Sequence, residues 1–571
     1  MVVIGSDSET VEGPPNTLQF YSEDLPINQL YFVTAKNSHD KFINFCNSLP
    51  SSDTTYLIFG HNLSFDLVSF FYKLRENFLE DKYEFDYRGY SCSGIYSTGL
   101  AYMVMQHRSK HKTIYVLDSF AFYKASLEKL ATIFCPHLPK LKRPDWLGKR
   151  AITEDDEEGK AYAMRDAVIA YHVGNHIKAT FEEYDVRPCV SVAQLAARIF
   201  RHKFVERPIP LQPMQVVYAA LHSYHGGKNN RTVPRGLYKN LYSIDIVSAY
   251  PFAMSRLPSF YERKLYKGYK AGRVTSKVPE FGVYRITGTV KKCKWPILFD
   301  HKFKPIFGPF KNIWTTGPEI NEGLRSKELS IDSINGYYYD AENDHNKSPF
   351  KEYVDHFFAE KDKAPTKPQR EKAKVSLNSL YGKLIQKDKI GADFEFSYDV
   401  EKGELSDGTK DYIAGGLFNP FIASLITGHT RAFIHVLEHK YRALHTATDG
   451  ILSLKPCQSS TNLGGIKLEF KCDAYIARTK VYICYSKEPL KETDKKSDLY
   501  PDKYIIKYAR HGFHANVETL EKLIKTDGKV YEYTKVNKLK ESVRRGLQVN
   551  KFEIRKSRLN LDKEGGNLLE S

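Results

Sequence analysis

Several features are missing from this 571-residue chain, and each absence narrows what it can be. The N-terminus, MVVIGSDSET, has no basic segment followed by an apolar one, so no signal peptide is expected. No apolar run is long enough to span a bilayer, so no membrane association is expected. Cysteine is scarce: eight residues, at 46, 92, 135, 189, 293, 457, 472 and 484, with no CxxC pair. That spacing argues against a zinc site or a disulfide framework and for a reducing, intracellular compartment. No internal repeat or low-complexity segment is visible. Acid is short relative to base: 68 Asp and Glu against 85 Lys and Arg, a net charge of +17.

What is present is a large apolar and aromatic content, 42% hydrophobic with 39 Tyr and 34 Phe. A chain this long exceeds one core, so two or more domains are expected. A basic, aromatic-rich globular protein suits a polyanion, most simply nucleic acid. Charge alone fits a basic protein without such a ligand equally well.

The stretch Ser243-Ile244-Asp245-Ile246-Val247-Ser248-Ala249-Tyr250-Pro251 reads as a strand ending in a corner. Alternation sets Leu241, Ser243, Asp245 and Val247 on one face. Asp245 thus sits among apolar neighbours, where an acid needs a positive partner. A metal-held triphosphate with the Tyr250 ring under its sugar fits that need. A hydrogen-bonded core acid fits it too, so partners must come from elsewhere in the chain.

Upstream, Val2-Val3-Ile4 leads into Asp7-Ser8-Glu9, and residues two apart on a strand converge. Tyr56-Leu57-Ile58-Phe59 reads as a buried strand breaking at Gly60 into His61-Asn62-Leu63-Ser64-Phe65-Asp66, with Asp66 opening an apolar helix. Strands alternating with helices predict an α/β domain. Residues 161–172 read as a helix with an acidic lead-in, and Tyr162 and Asp166, four apart, share a face. Four carboxylates and a tyrosine, in the order Asp7, Glu9, Asp66, Tyr162, Asp166, suit two-metal phosphodiester hydrolysis, with the tyrosine orienting water. The ordered set resembles the Asp-Glu-Asp-Asp proofreading 3′→5′ exonuclease domain. The resemblance implies that His61, Asn62 and Phe65 hold a single-stranded 3′ end, the ring by stacking. It also implies a lysine from the group Lys140, Lys142, Lys149, with Lys142 favoured.

At the junction, Tyr224-His225-Gly226-Gly227-Lys228-Asn229-Asn230-Arg231 pairs glycines with cations, which suits close approach to phosphates. Farther on, Thr366 with Gln369 reads as a capping box and Pro368 as a first-turn residue. Arg370, Lys374, Asn378 and Tyr381 then form one helix face, and Ala373, Leu377, Leu380 and Leu384 an adjacent apolar stripe. Two cations, an amide and a ring are what a base-bearing triphosphate requires. In Leu444-His445-Thr446-Ala447-Thr448-Asp449-Gly450-Ile451, the Asp-Gly pair predicts a hairpin with Asp449 at its tip, meeting Asp245 across a metal. In Thr479-Lys480-Val481-Tyr482, a strand reading puts Lys480 and Tyr482 on one face, where they would hold a primer end.

In this order the motifs resemble family B DNA polymerases, most of all the compact protein-primed branch of phages, adenoviruses and linear plasmids. The resemblance runs from Asp7 to about Tyr482. It implies an α/β, ribonuclease H-like exonuclease domain over residues 1–185. It implies an α+β right-hand polymerase domain over 186–571: palm about 186–254 and 417–485, fingers about 366–385, thumb about 486–571. Residues 255–365 and 386–416 resemble the two terminal-protein regions of that branch. The tail from Val517 to Asn560 is basic, which suits a duplex-gripping thumb.

The implied mechanism is two-metal nucleotidyl transfer, with Mg²⁺ expected and Mn²⁺ the other candidate. Asp245, Asp449 and the Ile246 carbonyl would hold the metals; Arg370 and Lys374 would clamp the phosphates. Tyr250 would exclude a 2′-hydroxyl, Asn378 and Tyr381 would shape the base-pair pocket, and Tyr224, Gly226 and Gly227 would touch template DNA. The implied partners are template and primer DNA, dNTPs and a terminal protein, with the enzyme a monomeric viral protein acting in its host cell. One position departs from the family: Ala447 stands where the first Asp of Asp-Thr-Asp is usual. A lower metal affinity or a changed metal preference is expected. The competing readings are an exonuclease whose other half binds DNA but is impaired in synthesis, a non-catalytic nucleic-acid-binding protein, and a primer-independent polymerase.

Overall fold

The computed structural model describes residues 1–559 apart from 51–52, 98, 207, 210–211, 262–263, 341–347, 389–397, 400–403, 406–412 and 415. The chain forms two compact units. The first comprises Met1–Ile199, Ala359–Ser376 and Glu532–Ser557; the second comprises Phe200–Phe358, Leu377–Tyr531 and Arg558–Ser571.

The first unit is α/β. Its eight-stranded sheet runs Ile27–Phe32, Pro15–Ser22, Val2–Thr10, Thr55–Gly60, Thr113–Asp118, Leu100–His107, Tyr90–Ser97, Lys82–Tyr87. Val2–Thr10, Thr55–Gly60 and Thr113–Asp118 are parallel; the flanking strands are antiparallel. The parallel centre is apolar on both faces, as Val3, Ile4, Leu57, Ile58 and Phe59 at 0% exposure show. One side is filled by rings: Phe20 stacks on Phe45 at 3.9 Å and Phe42 on Phe70 at 4.7 Å. Leu539 and Val549, from the basic tail, belong to this same core. The long helix Glu157–Glu183, capped by Asp156 accepting from the Gly159 N–H, packs against Val2–Thr10.

The second unit is α+β. Its eight-stranded antiparallel sheet runs Lys495–Lys496, Tyr504–Arg510, Val481–Ser486, Ile466–Arg478, Gly236–Ile246, Gly450–Ser453, Ala443–Thr448, Lys228–Arg231. The helix Pro420–Tyr441 lies against it, capped by Asn419, with most of its surface buried. Residues 255–365, expected to form an insertion, contribute a four-stranded sheet: Leu265–Val274, Leu329–Tyr339, Gly282–Val290, Gly308–Thr316. The second expected insertion, 386–416, lies for the most part outside the described residues. In the segment Ala359–Ser376 of the first unit, the first half of the expected capping box forms: the Thr366 hydroxyl accepts from the Gln369 N–H, and it donates to the Gln369 side-chain oxygen at 2.7 Å. The helix Lys367–Ser379 then buries Ala373 and Leu377 while Arg370, Lys374 and Asn378 face outward. Leu380 and Leu384 continue the buried stripe.

Candidate active sites

The first site is a cavity of about 290 Å³ in the first unit, lined by Asp7, Glu9, Asp66, Tyr162 and Asp166. Strand alternation turns Asp7 and Glu9 the same way, Asp66 arrives in the first turn of the helix Ser64–Phe70, and Tyr162 and Asp166 come from the long helix. Ser8 donates to Asp66 at 2.6 Å. Burial, then Asp66, Glu9 and Asp166, hold the Asp7 carboxyl well above its usual range. Burial and Asp166 push Glu9 up to about 7. Asp66 and Asp166 are also raised, mainly by burial. Oδ1 of Asp166 is buried without a hydrogen-bond partner. Mutually repelling buried acids with an unpartnered oxygen fit a divalent cation.

His61, Asn62 and Phe65 line the same cavity. Asn62 takes a left-handed φ of 64°, and its N–H donates to Asp118 at 2.9 Å. The His61 ring bonds Ser119 at 2.9 Å, and burial with Lys140 nearby pulls it down to about 4, so it is neutral. The lysine is corrected: Lys140, not Lys142, pairs with Asp166, and it also sits 5.2 Å from the Tyr162 ring. The sequence reading missed Arg143, Lys538, Asn550 and Phe552 on the cavity wall. Asn550 donates to the Phe65 carbonyl at 3.1 Å, and Phe552 is 43% exposed with Arg143 over its ring. For Lys538, Asn550 and Phe552 only the basic tail gave a hint, because contacts so distant in sequence leave no local pattern.

The second site lies in the antiparallel sheet. Asp245 pairs with Gly450, and the Ile246 N–H donates to the Asp449 carbonyl at 3.0 Å, so the two acid-bearing segments are tied together. The hairpin forms as expected, but its turn does not use the glycine. Thr448 takes the left-handed φ of 60°, and Gly450 pairs across with Ala447. The glycine is there for clearance, since a Cβ on Gly450 would lie 2.9 Å from Asp245 Oδ1. The surroundings of Asp245 are also corrected: besides apolar strand neighbours it faces Asp449, Glu469 and Lys507. Burial first, then Asp449 and Glu469, push Asp245 up to about 7, with Lys507 opposing. Burial raises Asp449 as well. Lys507, bonded to Glu469 at 3.0 Å, was not read from the sequence. This acid pair also fits a divalent cation.

Beyond the acids, Tyr250 stacks on Tyr381 with centroids 4.3 Å apart and planes 8° apart. Gly227 is crowded by both neighbours: a Cβ there would lie 2.5 Å from Thr448 Cγ2 and 2.8 Å from Tyr250 Oη. Tyr224 is close enough to raise both Tyr250 and Tyr381, after burial. Arg431, 1% exposed, grips Glu319 at 2.7 and 2.9 Å and donates to the carbonyls of His225 and Gly226. It thereby fixes the Tyr224–Gly227 backbone, and the sequence offered no sign of it. The cations of that segment are a further correction. Lys228 is 1% exposed and paired with Glu438, and Arg231 is 3% exposed and donates to the Ala477 carbonyl. Buried and partnered, they face inward, away from any phosphate. Lys480 is corrected too: it lies in a turn at φ 60°, outside the strand, while Tyr482 is 7% exposed against His445. Arg370 donates to the Lys361 carbonyl at 3.0 Å, and Lys374 pairs with Glu371 at 3.3 Å.

The two units thus each carry an acidic centre, one on an α/β sheet and one on an antiparallel sheet. Residues 149–414 match the family DNA polymerase type B, organellar and viral. That segment carries Tyr162, Asp166, Asp245, Tyr250, Lys374, Asn378 and Tyr381; Asp7, Glu9, Asp66 and Asp449 lie outside it. The whole chain is similar in fold to Phi29 DNA polymerase complexed with primer-template DNA, with a TM-score of 0.69, 15% identity, and coverage of 98% of this chain and 100% of that one. Against the Phi29 ternary complex with primer-template DNA and incoming nucleotide the TM-score is 0.64, with 16% identity and coverage of 98% and 99%. No curated protein sequence matches at a significant level. The matched segment thus resembles family B DNA polymerases of organellar and viral type, and the whole chain has the fold of Phi29 DNA polymerase. Among the described residues, no helix is long and apolar enough to cross a membrane.

Proposed function

We propose that this protein is a DNA-directed DNA polymerase with a proofreading 3′→5′ exonuclease, protein-primed and able to displace a strand while copying a linear viral genome. The observation that carries the reading is the pair of separate acidic centres, Asp245 with Asp449 in one unit and Asp7, Glu9, Asp66 and Asp166 in the other. Divalent metal, Mg²⁺ foremost, bound at each centre supplies charge neutralisation and a more acidic attacking hydroxyl or water. Asp245 and Asp449, with the Ile246 carbonyl, hold it at the synthetic centre.

The side chains around that centre select and orient. Tyr250, stacked on Tyr381, presents a flat wall that excludes a 2′-hydroxyl. Asn378 and Tyr381 shape the base-pair pocket, while Arg370 and Lys374, exposed one turn apart on one helix, clamp the triphosphate. Lys507 balances the acids and steadies the primer end with Tyr482. At the other centre Tyr162 orients the water, His61, Asn62 and Phe65 hold the frayed 3′ end, and Lys140 balances Asp166. Residues 255–365 and 386–416 act as the regions that meet the terminal protein and enclose DNA. The palm, fingers and thumb are assigned by the division drawn from the sequence, although Glu532–Ser557 of that thumb and residues 366–376 of those fingers belong to the first unit.

A 5′-labelled primer on a longer template tests this, with Mg²⁺ and with or without dNTPs. Extension lost in Asp449→Ala, and shortening lost in Asp66→Ala, are the expected results. No extension with either Mg²⁺ or Mn²⁺, even with the nuclease silenced, would overturn the polymerase reading. It would leave an exonuclease impaired in synthesis at Ala447.

A further inference from the structure

A second cluster of ligating side chains lies in the second unit, outside the site just described. His435 and His439 stand four apart on the helix Pro420–Tyr441 and so share one face. Their Nε2 atoms are 3.3 Å apart and address one carboxylate: His435 Nε2 lies 2.9 Å from Glu328 Oε2, and His439 Nε2 lies 3.1 Å from Glu328 Oε1. The two Nε2 atoms and the carboxylate, each ring meeting a different oxygen, form a compact donor set with one ligand atom per residue all within 4.8 Å of one another. Bonds of about 2.0–2.1 Å to zinc would set such donors roughly 3.3 Å apart.

The surroundings support that geometry. The other ring nitrogen of His435, Nδ1, lies 2.8 Å from Glu322, which Arg325 holds at 2.6 and 2.7 Å. A carboxylate behind the distal nitrogen fixes the tautomer that turns the Nε2 lone pair toward the cluster, as in carboxylate–histidine–metal arrangements. His435 is 0% exposed and Glu328 8%. Neighbouring acids already have cations: Glu322 has Arg325 and Glu438 has Lys228. Glu328 is met by the two imidazoles. The Cys293 thiol nearby donates to the Trp295 carbonyl at 3.5 Å. The Trp295 ring covers His439 at 4.7 Å.

We propose that Glu328, His435 and His439 form a zinc site, with water as the fourth donor. Two imidazoles and a carboxylate suit zinc better than magnesium. The ion ties the start of the insertion strand Leu329–Tyr339 to the end of the helix Pro420–Tyr441. The absence of a CxxC pair does not preclude it, because the donors are imidazoles and a carboxylate from two separated segments.

The test uses the full-length protein, expressed in zinc-supplemented medium and purified without chelator. Metal analysis of the wild type is expected to return one zinc per chain more than His439→Ala, a variant whose partly exposed side chain leaves folding intact. Cobalt replacing the zinc is expected to give tetrahedral visible bands that are lost in His439→Ala. Added zinc is expected to raise the melting temperature of chelator-stripped wild type and not of His439→Ala. Equal zinc in wild type and His439→Ala, or zinc at background in both, would overturn the site and leave a proton shared between the imidazoles. Cobalt bands that persist in His439→Ala would overturn it as well.

Discussion

Replacing Gly227 with alanine isolates one contact on which the proposed nucleotide pocket depends. The added Cβ would sit 2.5 Å from Thr448 Cγ2 and 2.8 Å from Tyr250 Oη. Unstrained carbon contacts need about 3.5–4.0 Å, so the neighbours must give by roughly 1 Å. Neither can do so freely. Tyr250 is stacked on Tyr381 at 4.3 Å, and Thr448 holds a left-handed turn immediately before Asp449. A shift of roughly 1 Å in a positioning group costs on the order of 10²-fold in rate, which is about 2.7 kcal/mol of barrier. Overpacking also costs about 1–3 kcal/mol of stability. Single-nucleotide incorporation at saturating DNA measures the first effect, and thermal melting the second. Gly226→Ala is the control for stability alone, since its added Cβ meets nothing within 4 Å. Exonuclease activity in the same preparation, carried by the other unit, should stay near wild type. Incorporation by Gly227→Ala within about threefold of wild type, well short of the predicted 10²-fold loss, would refute the reasoning.

Other outcomes follow from the same geometry. Ala447 pairs with Gly450, which pairs with Asp245, so residue 447 shares a sheet face with Asp245 at roughly 9–10 Å, two strand spacings away. Ala447→Asp should therefore lower the Mg²⁺ concentration for half-maximal extension; an unchanged or higher requirement would count against a role for that position. Glu9 and Asp245, both pushed up to about 7, bind more protons folded than unfolded between about pH 4 and pH 7. In chelator, their contribution to stability should thus decline as pH rises through that window, and Mg²⁺ should raise the melting temperature more at pH 7.5 than at pH 5. A Mg²⁺ shift of equal size at both would contradict this. Arg431→Met strands Glu319 at 2% exposure and should cost about 3–5 kcal/mol in denaturant unfolding, with partial recovery in Arg431→Met/Glu319→Gln.

Much of the chemistry could be read along the chain because its signals are local. Asp7 and Glu9 converge by strand alternation, Tyr162 and Asp166 by helix spacing, and Arg370, Lys374 and Asn378 by the same periodicity. The capping box at Thr366 and the hairpin at Asp449 were set by neighbours within a few residues. Composition and length were enough to require more than one core.

What failed in the sequence reading failed for one reason. A residue type states what a side chain can do, and only the packed chain states what it faces. Lys228 and Arg231 read as phosphate ligands, yet the fold buries both against acceptors more than 200 residues away. Gly450 read as the turn former, yet it serves to clear Asp245 on another strand. Arg431, Lys507 and Asn550 act through partners distant in sequence, so no window of neighbours could reveal them, and the choice of Lys140 from its cluster was decided by Asp166 on the long helix. The local pattern determined which elements form and which side chains share a face. Long-range packing decided which faces meet, which charges are compensated, and therefore where the acids are left to hold a cation.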